Sequence, residues 1–159
     1  MKAYQVFQGM SRDEAVRVLD ALRKETPGVY TQAVGAACAA LKARPQFLMK
    51  QPREKRAHLV RQALSKVATN PVAEEVLAAY FLEVRNPLLC EWLDTLGLEH
   101  EEGVLNDDPP CPSDADIEKA LATFRKDEDA EDRELLLRAF AAQSLIEWPS
   151  LEARLAARD

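Results

Sequence analysis

Three dipeptides constrain this chain more than anything else in it: Thr26-Pro27, Asn70-Pro71 and Asn86-Pro87. Proline fixes φ near the helical value and lacks the N–H that a first helical turn leaves unpaired, so a polar residue followed by proline marks a helix start. The residue before proline is itself pushed out of the α region. Each dipeptide also offers a side-chain acceptor at the cap. Ser11-Arg12-Asp13-Glu14 predicts a further start, with Ser11 and Glu14 forming a capping box. A chain punctuated this way must fold as a series of short helices.

Apolar residues recur at helical spacing after each start, as in Ala15, Val18, Leu19 and Leu22, or Leu89, Trp92, Leu93 and Leu96 before Gly97 stops the helix. Only 5 glycines occur in 159 residues, and Ala, Leu, Glu, Arg and Lys dominate, which argues against strands. With 47% hydrophobic and 30% charged residues the chain has material for a core and a solvated surface. The expectation is one all-α domain over residues 1–159, an irregular multi-helix bundle of about six to eight helices. Ala33–Leu41, apolar all round, is expected at its centre. Residues 99–112 read as an acidic, proline-rich loop, beginning with a small hairpin around Glu101, Glu102, Gly103 and Val104.

Cys38, Cys90 and Cys111 are odd in number and widely spaced, which predicts reduced thiols; Cys38 is expected in the core and Cys111 at the surface. The N-terminal residues lack a secretory apolar stretch, and no apolar run approaches the roughly 18 residues of a membrane span. Both point to a cytoplasmic protein with no membrane partner.

Charge is the uneven feature. Residues 42–66 carry a net +7, whereas residues 91–134 carry −12, within a chain of net −6. Lys55, His58, Gln62 and Lys66 share the outer face of a basic helix, and Leu59 lies off its apolar stripe, where it meets another helix or a partner subunit, so these five residues form the candidate interaction surface. Such a helix suits a phosphate backbone, but no aromatic residues are interleaved to stack on bases, and the acidic balance repels nucleic acid. Attraction between the basic and acidic segments, within one chain or across a homodimer, is the competing expectation.

Glu99, His100, Glu101, Glu102, Asp107 and Asp108, with Cys111, match neither a calcium loop nor paired zinc-ligand spacing, so no metal is expected. No Gly-rich phosphate loop occurs, and neither His58 nor His100 stands beside a plausible nucleophile, so no cofactor and no catalytic residue is assigned.

The run Lys50-Gln51-Pro52-Arg53, the segment Phe81 to Glu101 centred on Trp92-Leu93-Asp94-Thr95-Leu96-Gly97, and Trp148-Pro149-Ser150-Leu151 resemble a family of small uncharacterised all-helical bacterial proteins. The resemblance implies a bacterial cytoplasmic protein and transfers no functional residue. The function expected is therefore a non-catalytic interaction or adaptor protein with a protein partner or a second copy. The alternatives are nucleic-acid binding through residues 42–66 and an enzyme whose site is dispersed in sequence.

Overall fold

The structure, a computed structural model, describes residues 1–157. It is helical over 72% of its length, and its ten α-helices exceed the six to eight expected. They are α1 (Ala3–Gly9), α2 (Arg12–Glu25), α3 (Pro27–Leu41), α4 (Pro45–Lys50), α5 (Arg53–Leu64), α6 (Asn70–Ala79), α7 (Asn86–Thr95), α8 (Asp114–Phe124), α9 (Ala130–Ala141) and α10 (Pro149–Ala156). The helix with no sequence forewarning is α1, seven residues long, which buries Ala3, Val6 and Phe7. So short a helix is marginal alone and exists through packing.

The proline boundaries hold to within one residue: α6 and α7 begin at Asn70 and Asn86 themselves, Asn70 lying in the α region, and the three expected capping residues take other partners. Ser11 and Ser113 accept from the third helical N–H of α2 and α8, at 3.1 and 3.2 Å. Thr26 instead donates back to the Leu22 carbonyl. Asn70 lies inside α6, and its Oδ1 accepts the Tyr4 N–H at 3.1 Å, satisfying a free donor of α1 rather than its own helix. Asn86 lies inside α7, where its Nδ2 donates to the Glu102 carbonyl and ties the helix to the acidic loop. In each case the proline alone suffices for the boundary, which frees the polar side chain for another contact.

One contiguous core runs through the molecule. Trp92 packs against Phe124 and Phe140 with ring centroids 5.1 and 5.9 Å apart, and Phe140 against Trp148 at 5.3 Å, which joins α7, α8, α9 and the start of α10. The most enclosed helix is α9, where Leu135, Leu136, Leu137, Ala139, Phe140 and Ala141 are all buried. The expected central helix is not central: α3 buries Tyr30, Ala33, Val34, Ala37 and Cys38 but exposes Thr31, Gln32, Gly35 and Ala39. Alanine and glycine lose little by facing water, so a small-residue helix does not compete for the interior against one carrying three leucines and a phenylalanine.

Two departures from α-helix shape the molecular surface. At Tyr80–Val84 the chain continues α6 as a π-turn, closed by the Arg85 N–H on the Tyr80 carbonyl at 2.9 Å. After α7, His100–Glu101 (β1) pairs antiparallel with Val104–Leu105 (β2), as the expected hairpin. Its turn residues Glu102 and Gly103 have φ of 50° and 91°, the left-handed pair of a tight two-residue turn.

Candidate functional site

The residues singled out on and just after α5 differ in their exposure. Lys55 and Gln62 are exposed on the helix, and Lys66 is exposed beyond its end. Leu59 takes the first of its two expected contacts, with other helices: it is partly buried against the core, because α5 has neighbours on several sides, α1, α2, α3 and α6. His58 is half-buried, with Nδ1 enclosed and without a hydrogen-bond partner. Burial, then the nearby Arg12 and Arg61 charges, lower its pKa and favour the neutral ring.

None of the ion pairs described below joins the basic segment to the acidic one. Among the described residues the ion pairs of the acidic segment run to Arg17 and Arg85 from outside it and to its own Arg125, Lys126 and Arg133. Asp132 is their focus: Arg17 and Arg85 approach its carboxylate at 2.8 and 2.9 Å, and the Tyr80 hydroxyl donates at 3.3 Å. Burial, followed by the Asp132 charge, raises the Tyr80 pKa, which keeps the phenol a donor. This cluster knots α2, the π-turn and α9 together. By contrast Lys42, Arg44, Lys50, Lys55 and Lys66 take part in no ion pair among the described residues.

His100 and the carboxylates around it hold the hairpin and show no metal geometry. The His100 Nδ1 accepts the Gly103 N–H at 3.0 Å, which leaves its Nε2 to donate to Asp94 at 2.9 Å. Both ring nitrogens are therefore spent on pinning the turn to α7. Among the described residues no three His, Cys, Asp or Glu side chains come together as metal ligands. Cys38 is buried and Cys111 exposed, as expected; Cys90 is half-buried, its thiol donating to Asn86. Burial and the Asp94 and Glu102 charges raise its pKa, which disfavours the thiolate.

What the pinned hairpin creates is a groove. It arches beside α7, and with α6, the π-turn, α9 and the 143–146 segment it walls an open cavity of about 300 Å³. The walls are aliphatic and aromatic: Leu77 from α6, Phe81 and Leu82 from the π-turn, Leu89 from α7, Leu105 from the hairpin and Phe140 from α9. The π-turn contributes directly, since it sends Tyr80 towards Asp132 while Phe81 and Leu82 face the groove. At the mouth Val104 and Leu145 stand 56% and 70% exposed.

Two properties define what this groove accepts. Among the described residues that line it, only Gln143 has a polar side chain, and its amide is turned back onto the Ala139 carbonyl. The Gly103 N–H is already bonded to His100. The walls thus offer apolar surface for burial. The surroundings are the opposite: exposed Glu83, Glu102 and Glu147 each adjoin a lining residue in sequence, Asp107 and Asp108 follow the hairpin, and Asp108 and Glu147 line a neighbouring cavity that shares Leu145 with the groove, which gives it an acidic rim. None of these five carboxylates takes part in an ion pair among the described residues, so the stretches that flank the lining carry uncompensated negative charge.

None of this was visible as a motif, because the lining is drawn from five segments between residues 77 and 146. The usable signals were the apolar Val104 and Leu145, each two residues from an acid, Glu102 and Glu147. Comparison of the chain with family models, with curated proteins and with solved structures finds no match. Among the described residues no helix is long and apolar enough to cross a membrane.

Proposed function

We propose that this chain is a non-catalytic protein-interaction module, working in a reducing compartment such as the cytoplasm, that receives an apolar side chain from a basic partner segment in the acid-rimmed groove. The observation that carries this reading is the combination of a 300 Å³ apolar cavity with an unpaired carboxylate rim. Apolar anchors in a desolvated pocket supply binding energy, while complementary charge at the rim guides encounter and excludes wrong partners. The three free cysteines accord with a reducing setting.

A short amphipathic peptide of leucine and lysine tests this. On titration into the labelled protein, amide and methyl resonances of Leu82, Gly103, Leu105, Leu145 and Ile146 are expected to shift together, and added salt to weaken the binding. Absence of binding, or shifts away from the groove, overturns the reading. The exposed, unpaired Lys42, Arg44, Lys50, Lys55 and Lys66 support a second reading, contact with a nucleic-acid backbone. Random-sequence duplex that shifts these residues with a steep salt dependence would favour it.

A further inference from the structure

We propose that the occupant of the groove is the α4 corner of a second copy of this chain, with Phe47 as the anchor, so that copies join head to tail. This inference rests on the reading of the groove as a receptor for an apolar side chain in basic surroundings.

The large apolar side chains left exposed among the described residues are Leu41, Phe47, Met49, Val67, Val104 and Leu145. Val104 and Leu145 belong to the groove itself. Of the other four, Leu41, Phe47 and Met49 fall within nine residues, and Phe47, the one aromatic, is 53% exposed. The exposure follows from the length of α4. Six residues starting at Pro45 bury Leu48 alone, and its neighbours Phe47 and Met49 are turned about 100° to either side of it. The cations Lys42, Arg44 and Lys50 are interspersed, without ion pairs among the described residues.

The corner is ordered before any partner arrives. Arg56, itself buried, donates to the Met49 and Gln51 carbonyls at 3.3 and 3.4 Å, placing a cation at the C-terminal end of α4, where a helix favours one. Gln51 closes back onto the Phe47 carbonyl at 3.2 Å. Preorganisation of this kind reduces the entropy lost on binding.

Corner and groove are therefore opposites in shape and in sign: an apolar projection among cations, and an apolar concavity among Glu83, Glu102, Glu147, Asp107 and Asp108. No residue of α3 or α4 lines the groove, so a chain's own corner does not fill it. A contact between two different surfaces is heterologous, and each copy that joins still presents one open groove and one open corner. Growth into short chains or closure into a ring is the outcome. With one aromatic anchor the contact falls in the small, transient class of interfaces, and its charges make it sensitive to salt.

Sedimentation of the purified chain over a range of concentrations tests the inference. The average mass is expected to rise with concentration at low salt and less so at high salt. Phe47→Ala, and separately the double variant Val104→Asn with Leu145→Asn, should each weaken association at least about tenfold, the loss typical of an anchor residue. All three positions are exposed, so folding is retained and is checked by circular dichroism. Mixing the two variants should restore a 1:1 dimer that grows no further, since the mixture can join one intact groove to one intact corner only once. A wild type that stays monomeric, a Phe47→Ala variant that associates normally, or a mixture without dimer overturns the proposal. If the wild type is monomeric yet the leucine-lysine peptide still shifts the groove, only the second-copy inference falls; if the peptide fails too, the groove reading falls with it.

Discussion

Arg133 carries its positive charge at 4% exposure, and that burial is possible because every direction its guanidinium faces is occupied. Glu91 takes it bidentately at 3.0 Å on both oxygens, the Phe124 and Glu128 carbonyls accept at 3.0 and 2.9 Å, and the Phe124 ring lies 4.8 Å beneath. Removing the carboxylate leaves the carbonyls and the ring but no counter-charge. Glu91→Ala should therefore lose about 2 kcal/mol in denaturant unfolding, less than for a fully buried pair because Glu91 is partly solvated. Lys126, paired with the same carboxylate but exposed, should cost about 0–1 kcal/mol as Lys126→Ala. The hydrogen bonds from Arg133 and Lys126 hold the Glu91 pKa below its ordinary value of 4.5. Its folded pKa being the lower one, the stability it contributes is present above pH 4.5 and is lost as pH falls through the folded pKa. His58 is the second residue with a pH signature. Burial lowers its pKa below 6.5, so the unfolded chain takes up the proton first and stability falls on acidification from about that pH. His58→Gln should flatten this part of the stability–pH curve, and an unchanged curve would show that the ring is solvated.

Glycines separate two kinds of element. In the hairpin, Gly103 has φ 91°, and a Cβ there would stand 2.8 Å from Leu89 Cδ2, so Gly103→Ala should cost about 1–3 kcal/mol and perturb the groove wall that Leu89 shares. In α3, Gly35 meets nothing within 4 Å, and Gly35→Ala should stabilise by about 0.5–1 kcal/mol through the unfolded chain. Thermal melts of the two variants should move in opposite directions. The same contrast separates what was legible in the sequence from what was not. Ser11, Ser113, the proline boundaries and the hairpin turn act over three or four residues, and they read correctly because the partners lie within the pattern. Asn70 and Asn86 act on segments 66 and 16 residues away, and α1 packs on α5, α6 and α9, beyond the reach of any local rule. Ala33–Leu41 misled for a further reason: its composition was right for a helix, but its position depends on how much apolar area the competing helix α9 brings.

Across the whole molecule the charge asymmetry divides into a used half and an unused half. The acids of residues 91–134 are tied partly to Arg17 and Arg85, which lie outside that segment, whereas most of the basic residues of 42–66 face solvent. Within that basic segment Arg53 is paired with Asp20, and Arg56 and Arg61 are committed to backbone carbonyls. The segments' opposite signs therefore contribute no direct ion pair between them among the described residues, and long-range attraction between solvated charges is screened over about 8 Å at physiological ionic strength. Lys55→Glu with Lys66→Glu reverses two exposed, unpaired charges, so the midpoint of denaturant unfolding should correspond to a stability within about 0.5 kcal/mol of wild type. A larger loss would mean that the basic face meets the acidic one after all. Arg17→Ala and Arg85→Ala serve as the contrast. Each strips a cation from the nearly buried Asp132, leaving that carboxylate to the remaining arginine and Tyr80, and each should cost about 1–3 kcal/mol. The ordering expected is thus a measurable loss at the knot between α2, the π-turn and α9, and none on the outer face of α5. That ordering puts the stabilising charges beside the π-turn that shapes the groove, while Lys42, Arg44, Lys50, Lys55 and Lys66 take part in no ion pair among the described residues.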